Sequence, residues 1–130
     1  MPSTAQTTPQ NIWPLGKLTL TAGSPVSVLS NVGSQDAGGG TVPNPQGRAY
    51  GSMCDQLIFS APSLNSADVF VQYGKWNASD VNRTMLAIAK GTTVSIPHCT
   101  QTQSGQIDLA QIYVDGTTND TVYVTAIGGN

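Results

Sequence analysis

The last third of the chain, residues 107 to 127, admits few folds. In IDLAQIYVDGTTNDTVYVTAI, Ile112 and Val114 alternate with Tyr113 and Asp115. Val122, Val124 and Ala126 alternate with Tyr123 and Thr125. Alternation with period two marks a half-buried antiparallel strand, because successive side chains point to opposite faces. The pattern predicts a lead-in over 107–110, a strand over 111–115, a turn over 116–120 and a strand over 121–127. Asp115-Gly116 supplies the turn chemistry at its entry. Together these predict a hairpin that buries one aliphatic row and exposes a polar one. Such a row needs a cover, and the upstream chain has to provide it.

The upstream chain is made of the same material. Charged residues are only 9% of 130, the seven acids are all Asp, and Glu is absent. Strong helix formers are therefore scarce while Thr and Val are plentiful, which favours strands throughout. The length suits one domain with one core. The five cations, Lys17, Arg48, Lys75, Arg83 and Lys90, are scattered, and the formal net charge is -2. Counterion release on nucleic acid needs clustered cations, so nucleic acid is not an expected partner. No apolar run approaches the roughly 20 residues of a membrane span, so no membrane partner is expected. The start of the chain lacks the basic and apolar regions of a signal peptide.

Strands are predicted over 16–22, 25–30, 52–61, 68–73, 84–89 and 92–97, in addition to the terminal pair. Short strands with turns between them give the expected class: all-β, an antiparallel β-sandwich, jelly-roll-like, of about eight strands. An immunoglobulin-like sandwich is the alternative. Leu18, Leu20, Val26, Val28, Ile58, Val69, Val71, Leu86, Val94, Ile96, Ile112, Val114, Val122 and Val124 are the expected core. In Leu57-Ile58-Phe59 and Val69-Phe70-Val71 both faces are apolar, so alternation does not say which row points in. The long segment 31–48, with Gly38-Gly39-Gly40, reads as a surface or interface loop, since it lacks the Gly-Lys-Ser/Thr of a phosphate loop.

Residues 1 to 15 read as an extended arm, kept open by Pro2, Pro9 and Pro14, ahead of a single domain over 16–130. The arm has little to bury, but its N–H and C=O groups need partners if they leave water. The edge of a sheet on another subunit would supply them. Ile12, Trp13 and Leu15 are candidate partner-binding residues at the base of the arm, either anchored on their own domain or plugged into a neighbour. Trp76, in the polar segment 74–83, is the fourth candidate, as a binding hot spot or as a lid on the core.

Catalytic, metal and cofactor sets are not expected. The only His, His98, precedes Cys99 and follows a proline, and no Gly-x-Ser-x-Gly occurs. Cys54 and Cys99 are isolated thiols, expected to be reduced and to behave as small apolar residues. Asp108, Asp115 and Asp120 could in principle pair as carboxylates or bind calcium, but Asp at a turn more often accepts from the backbone beside it.

The segments Cys54-x-x-Leu-Ile-Phe-Ser-Ala-Pro62, Asn65-x-x-Asp-Val-Phe-Val71 and Thr84-Met-Leu-Ala-Ile-Ala-Lys-Gly-Thr-Thr-Val-Ser-Ile-Pro97 stand in order along the chain. They are followed by Asp108-Leu-Ala-Gln-Ile-Tyr-Val-Asp-Gly116 and Asp120-Thr-Val-Tyr-Val124. Over roughly residues 54 to 127 this resembles the small β-sandwich decoration, or cement, proteins on the heads of tailed bacteriophages. Ala89-Lys90-Gly91 stands where the family commonly has Pro-Gly. The resemblance implies a non-enzymatic virion protein on the capsid surface, assembled in the host cytoplasm, with no cofactor. The partners it implies are the major capsid protein and copies of itself. The other reading is a carbohydrate- or receptor-binding module of a tail or head fibre, with Trp76, Trp13 and Tyr73 as stacking platforms.

Overall fold

The computed structural model describes residues 12–32, 53–74, 84–96 and 107–128. Its strands are β1 (Ile12–Thr19), β2 (Val26–Ser27), β3 (Met53–Cys54), β4 (Gln56–Ser60), β5 (Val69–Tyr73), β6 (Thr84–Ile88), β7 (Thr93–Ile96), β8 (Ile107–Asp108), β9 (Ile112–Asp115) and β10 (Thr121–Ile127). A single 3-10 turn, Leu109–Gln111, is the helical element among the described residues.

Two four-stranded antiparallel sheets, in the orders β1-β10-β4-β7 and β2-β9-β5-β6, share one core. Setting aside the two-residue pieces β3 and β8, the pairing is nested. The first strand pairs with the last, β1 with β10, and the second with the second-last, β2 with β9. The third pairs with the third-last, β4 with β7, and β5 pairs with β6 in the middle. One long hairpin has thus been rolled up until β10 also meets β4 and β9 also meets β5. That connectivity is a jelly roll rather than an immunoglobulin sandwich. The small β3-β8 pair ties the two sheets together, since β3 leads into β4 and β8 into β9.

The terminal hairpin expected from the alternation does not form. Both strands are present, but β9 lies in one sheet and β10 in the other. Residues 116–120 carry the chain across the sandwich, and the two aliphatic rows meet the same core from opposite sides. Alternation reports the face a residue occupies, not the strand beside it.

The domain also begins earlier than expected. β1 starts at Ile12, so 12–15 belong to the sandwich and not to an arm. Pro14 is tolerated there because β1 is an edge strand, where one face of the ladder needs no donor. Pro14 pairs with Thr125 and Gly16 with Val124, which leaves Leu15 as an inserted residue. Gly16 takes φ +94°, a conformation that favours glycine. The bulge switches the inward row from Trp13 and Leu15 to Leu18 and Leu20, and all four are buried. Residues 1–11 lie outside the described residues.

Most of the expected core is buried, with Val26, Leu86, Val94 and Ile96 packed partly buried against it. Ile58 is the exception. It sits between Thr125 and Ser95 on the outer face, while Leu57 and Phe59 point inward opposite Ala126 and Val124. In β5 the inward pair is Val69 and Val71, leaving Phe70 38% exposed.

The register of β4 has a direct consequence. Leu57→Ala should cost about 2–5 kcal/mol of unfolding free energy, as for a fully buried leucine. Ile58→Ala should cost less, about 1 kcal/mol, as for a partly exposed side chain on the outer face. Urea unfolding of both variants checks this, and the reverse ranking would mean that β4 is turned over.

Candidate functional site

The registers place the connections at two ends. At one end Thr19 pairs with Thr121, Ser60 with Tyr123 and Thr93, and Val69 with Ile88. The short connections 20–25, 61–68, 89–92 and 116–120 therefore close that end. At the other end Ile12 and Gln56 both pair with Ile127, Leu57 with Ile96, and Tyr73 with Ile112. The residues that flank 33–52, 75–83 and 97–106 gather there.

Polar side chains hold the short-turn end. The Asp120 carboxylate accepts from the Ser66 N–H at 2.9 Å, the Ala67 N–H at 3.1 Å and the Ser66 hydroxyl at 3.1 Å. Asn65 Nδ2 donates to the Thr121 carbonyl at 2.8 Å, and the Thr121 N–H donates back to Asn65 Oδ1 at 3.0 Å. Leu20 N–H donates to the Asp120 carbonyl, and Asn119 N–H to the Leu20 carbonyl. Three connections are thus fastened to one another around Asn65 and Asp120, both buried. The Ser66 N–H, more than burial opposes it, holds the Asp120 carboxyl below its ordinary range, with help from Ala67, the Ser66 hydroxyl and Lys90.

The other two candidate acids also serve the backbone beside them. Asp108 Oδ1 accepts from the Ala110 N–H and caps the 3-10 turn, and Asp115 Oδ1 accepts from the Gly116 N–H. Their geometry is that of turn-forming aspartates, not of a carboxylate pair facing a substrate.

Cys54 is a free, fully buried thiol. Burial, and then the charge of Asp55, push it up to about 12, against a smaller opposing effect of the Gln56 N–H. It is protonated at neutral pH and is no nucleophile in the folded chain. His98 and Cys99 lie outside the described residues.

At the opposite end the described residues are largely apolar. Met53, Tyr73, Met85, Ile96, Ile107 and Ile112 line a cleft of about 390 Å³, with Asp108 as its charged lining residue. Tyr73 is 56% exposed and Met85 46%. The four candidate partner-binding residues are not brought together. Trp13 and Leu15 are taken up in this chain's own core. Ile12 is exposed at the start of β1. Trp76 lies outside the described residues. The Trp13 indole N–H is buried without a hydrogen-bond partner.

Sequence reasoning missed the cleft, and also the exposed ring of Phe70. Tyr123 was legible, because it stands in the outward row of an alternating strand. The cleft was not, because its lining comes from six strands that only the rolled hairpin brings together. No family model, curated protein or solved structure matches the chain.

The two perturbed groups predict opposite pH limbs. A depressed carboxyl stabilises the fold above its unfolded value, near 3.9, and that contribution is lost as pH falls through the folded value. Thermal unfolding should therefore show less acid sensitivity below about pH 4 in Asp120→Asn than in the parent, with a lower midpoint at pH 7. A raised thiol works the other way. Its contribution is complete below 9.0 and is lost as pH climbs towards about 12. Cys54→Ala should flatten that alkaline limb relative to the parent; parallel curves would mean that Cys54 titrates as freely as in the unfolded chain.

Proposed function

We propose that this chain is a non-enzymatic structural protein of a virion, a decoration or cement protein that binds the head of a tailed bacteriophage and bridges its capsid subunits. The observation that carries the reading is how the polar groups are used. Asp108, Asp115, Asp120 and Asn65 all hydrogen-bond the chain's own backbone at turns. Outside, among the described residues, stand Lys17 and Lys90 together with apolar and aromatic side chains, which, Leu64 in the 61–68 connection apart, lie on strands or around one end cleft. That division suits a rigid module recognised by its surface better than one that performs a reaction at a site.

The resemblance over residues 54 to 127 points the same way. A jelly roll is an architecture of viral capsid domains but also of lectins, so the fold alone does not choose between them. On a shell, many identical contacts of modest strength add through multivalency, so a small module needs no single tight site.

One observation favours the second reading, a carbohydrate- or receptor-binding module. Tyr73 and Tyr123 are both about half exposed, and Tyr123 stands on the inner strand β10 between Lys17 and Ser60. Trp13, the other ring named for stacking, is buried and weighs against it.

The test is binding to bare heads of the phage that encodes the chain. Purified protein should co-sediment with them at a saturating copy number and raise their disruption temperature. Removing residues 1–11 while keeping β1 should leave a folded domain with weakened binding. Removing 1–15 should unfold it, because Trp13 and Leu15 leave the core. Full-length protein that ignores bare heads but is retained on host-surface glycans would replace this reading with the second one.

A further inference from the structure

At the short-turn end one large apolar side chain stands in the open. Leu64 is 95% exposed, against 67% or less for the other large hydrophobics exposed among the described residues. It occupies a corner of the turn 62–65, which the Asn65 N–H closes by donating to the Pro62 carbonyl at 3.2 Å. Turn corners are usually taken by Gly, Pro, Asn, Asp or Ser, each of which eases the bend. A leucine there eases nothing and buries almost nothing. A local choice that the fold does not explain points to a role outside the fold.

The turn beneath Leu64 is held on both sides. Before it, the Ala61 N–H donates to the Thr92 carbonyl at 2.9 Å, and the Ala61 carbonyl accepts from the Gly91 N–H at 2.7 Å. After it, Asn65 exchanges two hydrogen bonds with Thr121, and the Ser66 and Ala67 N–H groups donate to the Asp120 carboxylate. Asn65 and Asp120 are two of the four buried polar residues among those described. Both fix the base of a turn whose tip stands in water. The connections packed around it, 89–92 and 116–120, lie among the described residues as well.

We infer that Leu64 is a preformed docking peg, and that its partner is the capsid shell, which receives it in an apolar socket. The inference rests on the reading of this chain as a decoration protein and names a residue that makes the contact. Because the backbone of the turn is already fixed, docking orders little more than the leucine itself.

Size decides between a shell and a free partner. Full burial of one leucine strengthens an equilibrium by roughly 10- to 150-fold. Free molecules lose translational and rotational freedom on meeting, which outweighs a factor of that size. A lone leucine therefore does not hold a second copy in solution. Residues 1–11 join β1 at Ile12, at the opposite end of the sandwich, where Ile12 pairs with Ile127. A module already held on the shell through that end makes the peg contact intramolecularly, so a weak contact adds its full factor. Contacts at both ends also give the module its bridging reach.

Co-sedimentation with bare heads of the phage that encodes the chain tests this, with full-length parent, Leu64→Ser and Leu64→Met side by side. All three should share one circular dichroism spectrum and nearly one melting temperature, because the side chain has no burial to lose. Leu64→Met keeps an apolar peg and should bind close to the parent. Leu64→Ser should bind at least about tenfold more weakly. Binding by the parent that Leu64→Ser leaves intact overturns the inference and spares the decoration reading. Heads that do not bind the parent overturn both. A parent dimer in sedimentation equilibrium that Leu64→Ser dissociates would give the leucine to a second copy, and overturns the inference too.

Discussion

β10 holds the sandwich together. It pairs with β1 on one side and β4 on the other, and its inner residues Val122, Val124 and Ala126 are buried. The β1 pairing joins Ile12 to Ile127, so the closing ladder spans nearly the whole described chain. Closing a loop of that length costs more conformational entropy than a local turn, although the cost rises only with the logarithm of length. Contacts of such separation also make folding slow compared with a helical chain of equal size. Nested pairing eases this, because each inner pair shortens the loop that the next outer pair must close.

The turn before β10 shows why the roll is stable at one end. Asp120 and Asn65 reach across more than 50 residues of sequence to each other's turns, with hydrogen bonds to N–H groups that would otherwise be left unpaired. A carboxylate accepting several N–H groups is stabilised in its charged form, so the latch and the depressed acidity of Asp120 are one effect seen twice. The opposite end has a different chemistry, with methionine, isoleucine and tyrosine around a cleft. Methionine is the adaptable apolar side chain, able to fill irregular gaps between the strands that meet there.

The fold class was legible, because a chain without Glu and with alternating rows of Val, Ile and Thr has few other outcomes. Face assignment was legible where one row was polar, as in β10, and not where both rows were apolar. Ile58 was assigned to the core because its neighbours Leu57 and Phe59 gave no contrast, and only the pairing with Thr125 and Ser95 reveals its outward position. Pro14 hid the start of β1, since a proline reads as a break until the strand is known to lie at an edge. The partners of β9 and β10 were not legible at all, because alternation is local and sheet neighbours are not. For the candidate site, the turn roles of Asp108, Asp115 and Asp120 followed from residue type and position. The cleft required the three-dimensional roll.

Native-state hydrogen exchange read by NMR tests the central role of β10 most directly. If β10 is clamped between β1 and β4, its amides exchange only when the whole domain unfolds, at the same free energy as those of β4. β9, in the other sheet, then has no separate opening in common with β10. A sub-global opening that releases β9 and β10 together, while β1 and β4 stay protected, would mean that the terminal third is a hairpin after all, and would contradict the rolled arrangement.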